Sequence, residues 1–157
     1  MAADRETRDL ILSLIPQQHP FRFIDEIMEL DEDHIVGAYR FRRDEFFYPG
    51  HFPRMPVTPG VILVEAMAQT GVVALGLYLL LQKGLTIEEI KNCITLFALI
   101  DNVEFQVRVN PGDLITVKGT KIYFRKGTLK TSVSMELASG EPVCSGQLTG
   151  RGVEQYG

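Results

Sequence analysis

The sequence predicts an α+β protein in which a strongly curved antiparallel sheet wraps around one long apolar helix. Three features carry that expectation. Val61–Leu81 reads VILVEAMAQTGVVALGLYLLL, with Glu65 as its one charged residue. Runs rich in β-branched and aromatic residues, bounded by turn sequences, occupy the chain on both sides of it. Leu129, Thr131, Val133, Met135 and Leu137 alternate with Lys130, Ser132, Ser134 and Glu136, the period-2 pattern of a strand with one wet face. A helix that is apolar all round needs cover on nearly every side, and a curved sheet supplies it.

The elements follow in order. Asp9, Leu10, Ile11, Leu14 and Ile15 predict a short amphipathic helix, stopped by Pro16 and Pro20. Phe21–Leu30 and Ile35–Phe41 flank the polar turn Asp31-Glu32-Asp33-His34 and predict a hairpin. A rigid loop with Pro49, Gly50, Pro53, Pro56, Pro59 and Gly60 leads into the long helix, which Gly84 closes. Thr86, with Glu89 three residues on, is a capping box for one more short helix. Strands are expected at Ile94–Val109, Leu114–Phe124, Thr128–Ala138 and Val143–Arg151. The turn sequences Asn110-Pro-Gly-Asp113 and Arg125-Lys-Gly127 separate the first three, so these strands are expected to run as a meander. No repeat or linker divides the chain, and residues 1–157 are expected to form a single domain.

Composition narrows the function. With 16 Lys and Arg against 20 Asp and Glu, the net charge of −4 excludes a generally basic nucleic-acid binder. Cys93 and Cys144 lack a CxxC or Cys/His context, so they are expected as reduced, buried thiols, and no metal site is indicated. Charges break the apolar stretch near the N-terminus, which is not expected to act as a secretory signal. Val61–Leu81 is long enough to cross a bilayer, but Glu65 and Gln69 argue for a buried helix instead. An ionised carboxylate at a bilayer centre costs about 2.5–3.5 kcal/mol on insertion scales.

Candidate chemistry concentrates in Gly50–Gln69, GHFPRMPVTPGVILVEAMAQ. His51 sits between Pro49 and Pro53, which restrict the backbone and would hold its imidazole as a general base requires. The competing reading is a loop histidine satisfied by a backbone carbonyl. Glu65 on an apolar helix should have its pKa pushed upward by burial, toward proton transfer near neutrality. The competing reading pairs it structurally with Arg40, Arg42 or Arg108. Gln69 lies one turn on and can hydrogen-bond the carboxylate or a bound water. Free N–H groups at Gly60 and Val61 open the helix and form a candidate oxyanion hole. Ordinary Pro-Gly helix punctuation explains the same residues equally well. A base, a protonated acid and amide donors together suit proton abstraction beside a carbonyl with loss of a β-leaving group.

GHFPRMPVTPGVILVEAMAQTG closely resembles the signature of bacterial 3-hydroxyacyl-[acyl-carrier-protein] dehydratases of the catalytic-glutamate type. The likeness extends to Leu14-Ile-Pro-Gln-Gln-His-Pro-Phe-Arg-Phe-Ile-Asp25, to Leu96–Phe105 and to Pro111-Gly-Asp113, and covers about residues 10–150. The resemblance implies a hot-dog fold with a curved six-stranded sheet. It also implies a cytoplasmic homodimer, often a trimer of dimers, with His51 of one protomer facing the glutamate of the other across an apolar tunnel. By carry-over, His51 removes the C2 proton, Glu65 protonates the departing 3-hydroxyl, and the Gly60 amide polarises the thioester carbonyl, with no cofactor required. The partner implied is an acyl carrier protein bearing the substrate.

Several positions depart from the family pattern. Arg54 stands where glycine is common and Thr58 where methionine is usual, and Gln17 and His19 replace a typical His and Tyr. Gln106-Val107-Arg108 occupies a stretch that usually carries two arginines and a proline. These departures leave open a dehydratase of a polyketide-like or pigment pathway, a hot-dog thioesterase, or a silent acyl-binding subunit. Carrier proteins are acidic, so docking to this acidic chain calls for a local basic patch. Arg40, Arg42, Arg43, Arg54, Arg108 and the Lys121–Lys130 hairpin are its candidates.

Overall fold

The computed structural model describes residues 1–154, so the last three residues of the expected domain lie outside the described residues. Helix α1 spans Arg5–Leu14, and Asp4 caps it by accepting the Thr7 amide. Strands β1 (Glu26–Leu30) and β2 (His34–Arg40) form the expected hairpin, whose turn is held by the Asp33 and His34 amides donating to Asp31 Oδ1. Helix α2 runs from Gly60 to Gln82, with a π-helical segment at Gln69–Ala74 in its middle. Helix α3 (Ile87–Lys91) starts at the Thr86–Glu89 capping box. The chain ends in β3 (Cys93–Phe105), β4 (Leu114–Arg125), β5 (Thr128–Leu137) and β6 (Pro142–Glu154).

All six strands form one antiparallel sheet in the order β1-β2-β4-β5-β6-β3. The expected meander therefore holds only for β4-β5-β6. Strand β3 pairs with β6 at an edge, and β4 inserts beside β2. Alternation along a strand reports which face is wet and carries no information on which strand lies alongside. The β4-β5 turn keeps to two residues, Lys126 and Gly127, both with positive φ (51° and 74°), as a type I′ hairpin needs.

The first strand also begins later than expected. In Phe21–Asp25 the Phe23 amide donates to Gln69 Oε1 at 2.7 Å and the Phe21 carbonyl accepts from Gln69 Nε2 at 2.9 Å. A side chain from α2 thus uses the backbone groups that a ladder would need. Phe23, Tyr39, Phe41 and Phe47 pack edge to face or stacked beside this segment.

Helix α2 lies in the concave face of the sheet, and most of it is buried there. It is the core helix and not a membrane span. Gly71 lets it approach closely, since a Cβ there would meet Val133 Cγ1 at 2.5 Å, and a Cβ on Gly119 would meet the Gly71 Cα at 2.8 Å. Cys144 is buried and its thiol is pushed up to about 12 by burial, whereas Cys93 is only half-buried, short of the burial expected for both.

Candidate active site

His51 follows a short 3₁₀ turn, Tyr48–Gly50, and a lattice of backbone bonds holds it. Its N–H donates to Tyr48 O, and its carbonyl accepts from the Val57 amide. The ring Nδ1 lies 2.8 Å from Val57 O. A carbonyl can only accept, so Nδ1 carries the proton and Nε2 keeps a lone pair. The backbone-satisfied histidine and the poised base are therefore the same geometry. The Phe52 ring stacks on the imidazole at 4.2 Å, and the buried Thr58 hydroxyl bonds Tyr48 Oη at 2.7 Å, anchoring the far side of the loop.

At the start of α2 the Ile62 and Leu63 amides already donate to Pro59 O, and those of Gly60 and Val61 have no helical acceptor. His51, Pro59, Gly60, Val61 and Val64 line one apolar groove of about 680 Å³ with Phe97, Ile100, Val103 and Phe105 of β3. A Cβ on Gly60 would sit 3.2 Å from the Phe105 ring, so the ring and the helix start are in close contact.

Glu65 lines a separate cavity of about 210 Å³ with Gln17, Ala68, Val72, Val73, Thr95, Leu96, Phe97 and Gly150. Burial pushes its carboxyl above the usual range, and a 3.0 Å hydrogen bond from Gln69 Nε2 pulls the other way. The fully buried Gln69 cannot flip, because its oxygen faces an amide and its nitrogen faces the Phe21 carbonyl and the Glu65 carboxylate. The expected alternative partners of Glu65 are engaged elsewhere. Arg42 holds Asp25 through two 2.9 Å bonds, Arg40 donates to Gly112 O, and Arg108 points at Met55 Sδ.

One chain thus brings His51, Gly60 and Val61 together, and separately Glu65 and Gln69. Phe97 borders both cavities, and neither is lined by both His51 and Glu65. The sequence reading had no reason to single out Phe97, because β3 reads as apolar throughout and offers no alternation to mark a special position. Gln17 was visible only as a departure from a family pattern.

The candidate basic patch divides. Arg40, Arg42, Arg43, Arg54 and Arg108 cluster about the Val109–Asp113 segment. Arg43 lies against Gly112, Thr58 N donates to Val109 O, and Arg54 and Arg108 are exposed beside the His51 loop. The Lys121–Lys130 hairpin is excluded from that patch: Arg40 pairs with Leu114 and Lys130 with Tyr123, which puts them about 30 Å apart along β4. No group of three or more potential metal-ligating His, Cys, Asp or Glu side chains occurs among the described residues.

The model of the FabA-like domain matches residues 15–148. The chain belongs to this family. Among its relatives, the 3-hydroxyacyl-[acyl-carrier-protein] dehydratase FabZ of Caldicellulosiruptor bescii is 39% identical over 141 residues, covering 89% of this chain and 94% of that protein. FabZ of Bacillus subtilis is 36% identical over 140 residues, covering 88% and 92%. These relatives place the chain among the dehydratases of the family, which are hydro-lyases. In structure it is similar to the dehydratase heterocomplex ApeI:P from Xenorhabdus doucetiae, with a TM-score of 0.72, 14% identity and coverage of 93% and 92%. A hypothetical thioesterase with coenzyme A from Streptococcus pneumoniae aligns with a TM-score of 0.56 at 15% identity, covering 83% and 86%. At such identities these structures establish the hot-dog fold and nothing finer.

Proposed function

We propose that the chain dehydrates 3-hydroxyacyl-[acyl-carrier-protein] to the trans-2-enoyl thioester in fatty-acid synthesis, and runs the reverse hydration. The observation that carries this reading is the His51 tautomer: an imidazole with Nε2 free, in one apolar groove with the unsatisfied amides of Gly60 and Val61. The thioester carbonyl sits on those amides, which stabilise the enolate-like charge. His51 Nε2 takes the C2 proton, and that C–H electron pair becomes the new π bond. The C3–O bond breaks toward the oxygen, which leaves as water after taking a proton from Glu65. The raised pKa of Glu65 suits it to hold that proton near neutrality. Gln69 sets the rotamer of the carboxyl.

His51 and Glu65 occupy different cavities of one chain, so the reading requires a homodimer in which each site takes its base from one protomer and its acid from the other. The β3 edge supports this. Leu96, Phe97, Leu99, Ile100 and Phe105 are 44–53% exposed along an edge strand that runs from Cys93 to Phe105. An apolar edge of that length calls for a partner, and an isologous pairing with its own copy closes it. Further association into a trimer of dimers, a cytoplasmic location and a single domain over the whole chain complete the proposal. Arg54 and Arg108, exposed next to the groove, are the docking residues best placed for an acidic carrier protein, with Arg40, Arg42 and Arg43 behind them.

Ultraviolet absorbance of the enoyl thioester, followed with carrier-bound substrates of several lengths, tests the reading. The expected result is turnover that falls by about 10²–10⁴-fold in His51→Ala and in Glu65→Gln. Absence of any absorbance change in the unsubstituted protein, or full activity in both variants, overturns it. Release of free thiol would assign a thioesterase instead.

A further inference from the structure

Gln17 lines the Glu65 cavity, and its side-chain oxygen Oε1 is completely buried with no hydrogen-bond partner among the described residues. Apart from Gln17, Glu65 and Thr95, that cavity is walled by Ala68, Val72, Val73, Leu96, Phe97 and Gly150. Its surroundings hold the segment in place rather than the amide. Gln18 Nε2 donates to Ile15 O, Arg22 donates to Leu12 O, and Gln69 ties down Phe21 and Phe23. A buried carbonyl oxygen left without a donor is unfavourable, and native proteins keep such groups where something else supplies the donor. Glu65 cannot serve in its ionised form, since a carboxylate only accepts.

The geometry points to Gln17 as the acceptor for the hydroxyl of the substrate: Gln17 Oε1 receives the hydrogen of the 3-hydroxyl and turns a lone pair of that oxygen toward the Glu65 proton. The inference rests on the dehydration reading and adds a second contact to the leaving group. The balance is simple. Before reaction, the C3 hydroxyl donates one hydrogen bond to Gln17 and accepts one from protonated Glu65. When the C3–O bond breaks, the oxygen keeps the bonding pair and takes the Glu65 proton. The departing water then donates one hydrogen to Gln17 and the other to the Glu65 carboxylate. In the reverse direction the same pair of acceptors orients a water for attack on C3. An amide oxygen stays unprotonated near neutral pH, so it selects a ligand that brings a donor. A 3-hydroxyacyl chain brings one and the saturated chain does not.

The test uses the full chain in a His51→Ala background, where turnover is stopped, with calorimetric binding of a 3-hydroxyacyl thioester and of the saturated acyl thioester of the same length. The expected result is a preference of about tenfold or more for the hydroxyl ligand, lost in Gln17→Met through weaker binding of that ligand alone. In the catalytic protein, Gln17→Met should lower kcat/KM for dehydration, and Gln17→His, which restores an acceptor, should recover most of it. Thermal stability of Gln17→Met should be equal to or above that of the parent, because an unsatisfied polar atom has been removed. A preference that survives Gln17→Met overturns the inference, and so does weakening of both ligands equally. A lower melting temperature or a dissociated assembly in Gln17→Met also overturns it, by showing that the oxygen already has a protein partner. Binding preference is read without turnover. Failure of dehydration in the unsubstituted protein would count against the proposed reaction, and an unchanged preference against Gln17.

Discussion

Strands β3 and β5 are both rich in apolar residues, but one is finished within the chain and the other is not. In β5 a neighbour lies on each side, and Leu129, Thr131, Val133 and Met135 are buried while Ser132 and Ser134 are exposed. Strand β3 is paired only with β6, and large apolar side chains along it stay about half exposed. In β5 the sequence pattern and the burial pattern coincide because a single chain supplies all the contacts. In β3 they part, and the surplus hydrophobicity marks a surface whose cover must come from elsewhere. The same strand borders both the His51 groove and the Glu65 cavity, so the unfinished strand and the divided site are one feature.

That contrast can be broken from either side. The largest effect belongs to Val133→Asp, which buries an unpaired charge between sheet and α2 and should cost several kcal/mol, leaving little folded protein by circular dichroism. Ile100→Asp, on the exposed apolar face of β3, should instead leave a folded monomer by light scattering, with dehydration reduced about 100-fold or more because the two half-sites no longer meet. A folded, fully active monomer would end the composite-site reading.

Mixing sharpens the comparison further. His51→Ala and Glu65→Gln chains, each inactive alone, should regain about a quarter of the parental activity after unfolding and refolding together. Random pairing makes half the dimers mixed, and each mixed dimer has one intact site of two. Sites confined to one chain would regain nothing.

The smallest effect concerns Glu65 itself. Its folded-state pKa lies above the unfolded value because burial disfavours the charge. The folded chain therefore binds more protons than the unfolded one between those two values, and stability falls as pH rises through that window. Glu65→Gln has no charge to desolvate and should melt above the parent at the high end of the window, with the gap closing as pH drops to about 4. Melting curves at several pH values check this, and a gap that does not depend on pH would contradict the burial argument.

Much of this was legible in the residues. The long helix, its short capped successor, the hairpin turns and β5 were all readable, because each rests on periods and turn chemistry local in sequence. His51, Gly60, Val61, Glu65 and Gln69 stood out because polar and proline-rich positions are conspicuous beside an apolar helix. The insertion of β4 between β2 and β5, the late start of β1 and the partition of the arginines were not readable. Each depends on a long-range contact: β4 with β2, Gln69 with Phe21 and Phe23, and Arg42 with Asp25.

The sequence by itself determined the class of fold, the family and the residue types that can move protons, since these follow from local periodicity and a specific motif. Only the tertiary structure decided where those residues stand. It gave His51 its tautomer through Val57 O, set Glu65 in a cavity apart from His51, and left Gln17 Oε1 without a donor. The reason is physical: hydrogen-bond partners and burial are properties of groups that meet in space, and spacing along a chain does not say which groups will meet.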